Sequence, residues 1–147
     1  MTLKGKGVEM IYQETTDKIL KAFYKVYNVL GFGFLEKVYE NAMGIELSKS
    51  GFTICHQKGI PVYYEGVMVG DYFADIIVND SIILELKSAE SIRSEHFAQL
   101  TNYLKATEIE LGLLLNFGKK PDFKRMLFTN DIKQSQQNRI DRIVSLI

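Results

Sequence analysis

The chain is poor in cysteine, poor in proline and without net charge. Cys55 is the one cysteine, which excludes an internal disulfide framework and fits a reducing cytoplasm. It reads as an inert strand residue. Lysine plus arginine and aspartate plus glutamate each number 18 in 147 residues. That balance argues against binding nucleic acid by bulk electrostatics, but not against an enzyme that meets phosphates locally. No apolar run approaches the length that spans a bilayer. The opening residues, Met-Thr-Leu-Lys-Gly-Lys-Gly, lack the apolar core of a signal peptide. The expectation is a cytoplasmic protein without membrane contact. The only prolines are Pro61 and Pro121, and no internal repeat, low-complexity tract or linker is visible. A single domain over residues 1–147 is therefore expected.

What is present is ordinary in bulk, with 46% apolar and 24% charged residues. Residues 9–30 carry a helical stripe of Ile19, Phe23, Val26, Tyr27 and Leu30. Gly31 and Gly33 interrupt it. A second amphipathic helix is predicted over 34–50, with Leu35, Val38, Ala42 and Ile45 as its stripe and Ser50-Gly51 as its close. Strands are predicted over 52–58, 61–65, 67–78 and 82–88. A helix over 94–107 follows, with Ser94 as N-cap and Phe97, Leu100 and Leu104 on its stripe. The run 109–116 reads as a buried strand and 123–129 as another. The tail from 132 to 147 reads as a helix with Ile140, Ile143, Val144 and Ile147 on one side. A helix between the 82–88 and 109–116 strands can act as a crossover that leaves them parallel. The predicted fold class is α/β: a mixed β-sheet flanked by helices.

Residues 75–87 stand out. Asp75 opens an apolar hairpin, and Glu85 and Lys87 lie inside its second strand among Ile82, Ile83, Leu84 and Leu86. Strand interiors disfavour such charges, and a buried charge is costly unless paired or bound to a metal. Glu85 and Lys87 share one face by alternation. Loop length decides whether Asp75 joins them. A two-residue loop at Asn79-Asp80 pairs Asp75 with Leu84; a three-residue loop, Asn79-Asp80-Ser81, pairs it with Glu85. Directly opposed side chains have Cβ atoms roughly 5 Å apart, so the two carboxylates would repel and one pKa would rise. A divalent cation removes the conflict. The competing reading is the polar face of a surface hairpin bridged by Lys87.

Two polar pairs lie on the flanking helices. Glu36 and Tyr39 share a face of the second helix, and Gln99 and Tyr103 share a face of the third. Gly33-Phe34-Leu35-Glu36-Lys37-Val38-Tyr39 matches a Gly-x-x-Glu-x-x-Tyr signature. With Asp75, Glu85-Leu86-Lys87 and Gln99-x-x-x-Tyr103, the chain resembles the GxxExxY family, a branch of the PD-(D/E)xK nuclease superfamily. The resemblance covers roughly residues 10 to 130; Ala74 stands where that superfamily loosely keeps a proline. It implies a restriction-endonuclease-like core and a metal site of Asp75, Glu85 and Glu36, with the Leu86 carbonyl as a further oxygen. It implies Lys87 beside the attacking water, and Gln99 and Tyr103 positioning phosphate or bracing ligands. The implied cofactor is Mg²⁺ or Mn²⁺, and the implied substrate DNA or RNA. The alternative is a catalytically weak or inactive nuclease-fold module that binds nucleic acid or a protein partner; a homo-oligomer stays open.

His96, three residues before Gln99, is a further candidate for the site, more so than His56. Tyr63, Tyr64 and Tyr72 read as core or sheet-surface aromatics rather than a stacking platform. The basic cluster Lys119, Lys120, Lys124 and Arg125, broken by Asp122, reads as a solvated loop.

Overall fold

The computed structural model describes residues 2–147, with side chains described from Tyr12 onward. Helix α1 (Thr2–Leu30) leads into α2 (Glu36–Lys49). Three strands follow: β1 (Ile54–Tyr64), β2 (Val67–Val78) and β3 (Ile82–Lys87). Helix α3 (Ser94–Lys105) precedes β4 (Leu111–Phe117), β5 (Pro121–Leu127) and α4 (Asn130–Ser145). The sheet order is β1-β2-β3-β4-β5. Among the described strands only β3 and β4 run parallel, with α3 as the crossover that parallel neighbours require.

Helix α1 buries the expected stripe: Ile19, Phe23 and Val26 are inaccessible, with Tyr27 and Leu30 packed beside them. It stops where Gly31 takes φ 68 and donates its amide to the Tyr27 carbonyl at 2.7 Å, a left-handed C-terminal cap.

Helix α2 corrects the sequence reading. Leu35, Val38 and Ile45 are exposed; the helix buries Tyr39, Met43 and Leu47 instead. It carries apolar residues on two faces, so periodicity alone does not choose between them. Tyr39 supplies the missing specificity. Its ring stacks on Phe117, with centroids 4.2 Å apart. Its hydroxyl donates to the Gly31 carbonyl at 2.6 Å and accepts the Phe34 amide at 3.2 Å. A fully buried tyrosine with a satisfied hydroxyl thereby fixes the turn that delivers Glu36.

Segments 52–58 and 61–65 form one strand rather than two, β1. Pro61 does not break it because β1 is an edge strand, where a missing N–H costs little. Strand β4 is buried throughout, as read. Helix α4 forms, with the Thr129 hydroxyl accepting the Ile132 amide at 3.3 Å, but it buries none of its residues. Ile140, Ile143, Val144 and Ile147, read as one apolar side of the helix, are exposed.

The core has two parts. One lies between the sheet and α1/α2 and holds Ile76, Val78, Leu84, Leu86, Leu113 and Phe117. The other lies under α3 and holds Ile60, Ala74, Ile77, Ile83, Leu100, Tyr103 and Leu104. Among the described residues no helix is long and apolar enough to cross a membrane.

Candidate active site

The β2–β3 hairpin begins as a regular ladder, with Val78 opposite Ile82, Ile77 opposite Ile83 and Ile76 opposite Leu84. Its connection is the three residues Asn79-Asp80-Ser81. Asn79 and Asp80 take φ 53 and 52, and the Ser81 amide donates to the Val78 carbonyl at 2.9 Å. This left-handed pair is the turn chemistry that suits twisted hairpins. Continuing the register by one residue places Asp75 opposite Glu85. There the ladder ends and side chains take over the backbone groups. The Asp75 amide donates to Glu85 Oε1 at 3.0 Å, and the Leu86 amide donates to Asp75 Oδ2 at 2.9 Å. Strand β3 stays paired with β4 as far as Lys87 opposite Asn116, so β2 forks away from β3 at Asp75.

The side-chain alternation also slips there. Ile76 faces α1/α2, Ile77 faces α3, and Ala74 again faces α3, although strict alternation puts Ala74 with Ile76. Gln57, the residue of β1 between the pairs His56–Ile76 and Lys58–Ala74, takes φ 51. The two irregularities face each other and turn the outer part of the β1–β2 hairpin relative to the sheet.

Glu85 points to the α3 side with Ile83, away from Leu84 and Leu86. It is 3% exposed. Burial, then the charge of Asp75, raises its pKa to about 8, against the opposing Asp75 amide and Lys87 ammonium. A hydrogen bond between the two carboxyls favours the protonated form of Glu85. Lys87, on the same face, donates to Gln99 Oε1 at 3.0 Å. Gln99 Nε2 in turn donates to the Tyr103 hydroxyl at 3.0 Å. Burial, then the Glu85 carboxylate, raises the Tyr103 pKa. Gln99 and Tyr103 thus face the fork, and α3 fixes the direction of Lys87.

Glu36 is the first residue of α2. Its pKa is raised by loss of water around the carboxyl; Lys87 and His96 lower it and Asp75 raises it. It lies within electrostatic reach of the fork, and His96 lies within reach of Glu36. His96 Nδ1 is otherwise engaged by the Arg93 amide at 3.0 Å. The expected three-carboxylate shell is not assembled: among the described residues, no three His, Cys, Asp or Glu side chains converge closely enough to hold one ion. The structure joins Asp75 and Glu85 and leaves Glu36 outside that pair. An oxygen-only pair, one member of which has its pKa pushed up to about 8 by burial and then by the other's charge, fits a hard divalent cation. Leu86 enters through its amide, which orients Asp75.

Sequence reasoning missed a neighbouring network. Glu40, 4% exposed, accepts from Gln57 Nε2 at 2.6 Å and from Lys37 at 3.1 Å. It also pairs with His56 Nδ1 at 2.9 Å. Burial pushes its pKa up, but hydrogen bonds from Lys37, His56 and Gln57 outweigh that and hold it below the usual carboxylate range. Gln57 Nε2 also reaches Asp75 Oδ1 at 3.3 Å, linking Glu40 to the fork. The available signal was spacing: Glu36 and Glu40 are four apart on one helix, hence on one face.

The loop after β3 is held by the buried Asn116. Its side chain accepts the Ala89 amide at 2.9 Å and donates to the Ala89 carbonyl at 2.9 Å. Gly118 permits this approach, since a Cβ there would lie 2.4 Å from the Ala89 oxygen. The basic cluster is exposed. Lys124 and Arg125 are adjacent strand residues opposite Leu114 and Leu113 and point to opposite faces, so the four charges form no single patch.

A crystal structure of an alkaline exonuclease (LHK-Exo) from Laribacter hongkongensis resembles this fold with a TM-score of 0.49 and 10% identity, covering 74% of this chain. The chain spans 64% of that protein, less than two thirds. The crystal structure of SSO0001 matches with a TM-score of 0.50 and 18% identity, covering 92% of this chain and 69% of that one; this likeness speaks to fold alone. A search of curated proteins found no match. Residues 13–126 match the sequence model of the PD-(D/E)XK nuclease superfamily. That match takes in α2, the fork and α3, and the chain belongs to the PD-(D/E)XK nuclease superfamily.

Proposed function

We propose that this chain is a divalent-metal-dependent phosphodiesterase acting on DNA or RNA, built as one nuclease unit of the GxxExxY branch. The observation that carries the reading is the contact between Asp75 and Glu85 at the fork, where each carboxylate holds the other's strand. A surface hairpin has no need to bury Glu85 at 3% exposure with a pKa near 8. The two carboxylates would hold Mg²⁺ or Mn²⁺, with the Leu86 carbonyl as a further oxygen. When bound, such an ion acidifies water and polarises a phosphoryl oxygen.

The remaining roles belong to the chain's own groups. Lys87, tethered by Gln99, orients the attacking water and offsets charge developing on the phosphate. Tyr103 holds Gln99 in place, so α3 supports the lysine as a second layer. Glu36, within electrostatic reach of Lys87 and Asp75, would hold a water across from Asp75. The Gly33-to-Tyr39 segment supports the branch assignment, because Tyr39 pins the turn that presents Glu36.

Thermal unfolding in millimolar Mg²⁺ or Mn²⁺ tests the metal, since a ligand of the native state raises the melting temperature. Asp75→Ala should abolish the shift. Wild type should degrade single- or double-stranded substrates in Mn²⁺, and Lys87→Ala should stop turnover while keeping most of the shift. No shift at millimolar metal removes the reading. The separation of Glu36 from the Asp75–Glu85 pair favours one alternative, a catalytically weak module that binds nucleic acid or a protein partner. A metal shift without cleavage across a broad substrate panel selects it.

A further inference from the structure

Next to the fork, on its α3 side, lies a cavity of about 600 Å³. Gln99 and Tyr103, which hold Lys87 in place, are also part of its wall. Opposite them stands Tyr72 of β2, 52% exposed, its ring 6.0 Å from that of Tyr103 and tilted by 48°. Ala98 adds apolar wall, Asn102 adds an amide, and Glu95 and Lys105 lie toward the two ends of α3. The slip at Asp75 and Gln57 creates this arrangement. Strict alternation from Ile76 would turn Tyr72 toward α1/α2; the reversal turns it toward α3. The sequence alone read Tyr72 as a core or sheet-surface aromatic rather than a stacking platform.

We propose that this cavity receives an unstacked nucleobase of the strand whose phosphate lies at the fork. The inference rests on the nuclease reading and names a substrate subsite for it. Tyr72 lies three residues from Asp75, about 10 Å along a strand, a reach suited to a neighbouring nucleotide. One exposed aromatic face beside a buried one offers a stacking platform that any base can use. The Asn102 amide can donate to and accept from a base edge, so it sets whatever base preference exists. Lys105 can meet a flanking phosphate. A base-paired strand cannot fill the cavity without unpairing, which makes the site selective for single-stranded or frayed ends.

The test uses the full chain in Mn²⁺ on a Lys87→Ala background, with a single-stranded oligonucleotide carrying 2-aminopurine as probe. Binding should quench the 2-aminopurine fluorescence. Tyr72→Ala should weaken binding about tenfold and abolish the quench, while Tyr72→Phe keeps both. Replacing the probe base by an abasic site should reproduce the loss in the parent and add little to Tyr72→Ala. Tyr72 is half exposed, so its variants should keep the parent's melting temperature. A strand that is not bound, or Tyr72→Ala binding within about twofold of the parent with the quench intact, overturns the subsite. The two readings fail separately. If wild type cuts nothing but the Tyr72-dependent quench persists, the catalytic reading falls and the pocket stands. If wild type cuts and Tyr72→Ala binds and cuts equally well, the pocket falls and the catalytic reading stands.

Discussion

The two ends of the β2–β3 hairpin differ in one physical respect. At the turn end, Ile76, Ile77 and Val78 face Ile82, Ile83 and Leu84, every one of these side chains is buried and apolar, and the backbone ladder is regular. One residue further, the facing side chains are carboxylates. The backbone amides of Asp75 and Leu86 then bond to carboxylate oxygens rather than to strand carbonyls. Apolar pairs let the ladder continue because nothing competes with it. A carboxylate beside an amide competes directly, since charge-assisted bonds are about twice as strong as neutral ones. The strands part where acids replace isoleucines, and the parting makes the opening into which Lys87, Gln99 and Tyr103 project. The dry end holds the fold, and the charged end is held open at some cost to it.

The largest effects should separate these ends. Asp75→Ala should lower cleavage by about a thousandfold, read as initial rates on a labelled substrate in Mn²⁺. It should leave the metal-free chain folded, because losing the charge that raises the Glu85 pKa offsets losing the acceptor of the Leu86 amide. Leu84→Ala should do the reverse. Leu84 is fully buried, and truncating such a leucine costs about 2–5 kcal/mol. Denaturant unfolding should show the loss, while the activity of the remaining folded protein stays near that of wild type. Were Asp75→Ala to unfold the chain, or Leu84→Ala to act only on turnover, the division of labour between the two ends would be wrong.

Much of this was legible because it is local. The left-handed tolerance of Asn79 and Asp80 and the alternation of Ile, Leu, Glu and Lys in β3 are properties of adjacent residues, and they bring Asp75 opposite Glu85. A spacing of four put Gln99 and Tyr103 on one helix face, but only the family resemblance turned that face toward the site. The failures concern partners far apart in the chain. The buried face of α2 is chosen by Tyr39 meeting Phe117, across more than seventy residues of sequence. Glu40, His56 and Gln57 join through a strand irregularity that no periodicity reveals. The reversal at Asp75 that turns Tyr72 toward α3 is hidden for the same reason. In α4 the apolar side was real, but none of the helix's residues is buried among the described residues.

An intermediate effect concerns protonation. The pKa of Glu85 rises from 4.5 to about 8 on folding, so the folded chain binds more protons than the unfolded chain between those values. Metal-free stability should therefore be highest at low pH within that window and fall as pH rises through about 8, at up to about 1.4 kcal/mol per pH unit. Glu85→Gln should flatten the decline and be more stable than wild type at pH 8. Saturating Mg²⁺ should also flatten it in wild type, because the cation takes the place of the proton. A metal-free wild type whose stability rises across this window would mean that Glu85 is ionised in the fold.

The smallest effect lies in the turn itself. Asn79 and Asp80 have nearly the same backbone angle but different attachments. The Asn79 side chain accepts the Thr53 amide at 2.9 Å, and its own amide donates to the Thr53 carbonyl at 2.8 Å, tying the turn to the approach to β1. Asn79→Gly keeps the backbone bond and loses the side-chain one, a cost of about 1 kcal/mol. Asp80→Gly relieves a left-handed non-glycine residue but adds freedom to the unfolded chain, and these terms oppose each other. The net change should stay within about 0.5 kcal/mol. Paired denaturant curves resolve that difference, and both variants should cleave at the wild-type rate, because the regular ladder separates the turn from the fork. If Asp80→Gly instead reduced cleavage while leaving stability unchanged, the three apolar pairs would not insulate the charged end from the turn, and the contrast between the two ends would have to be replaced by a single coupled hairpin.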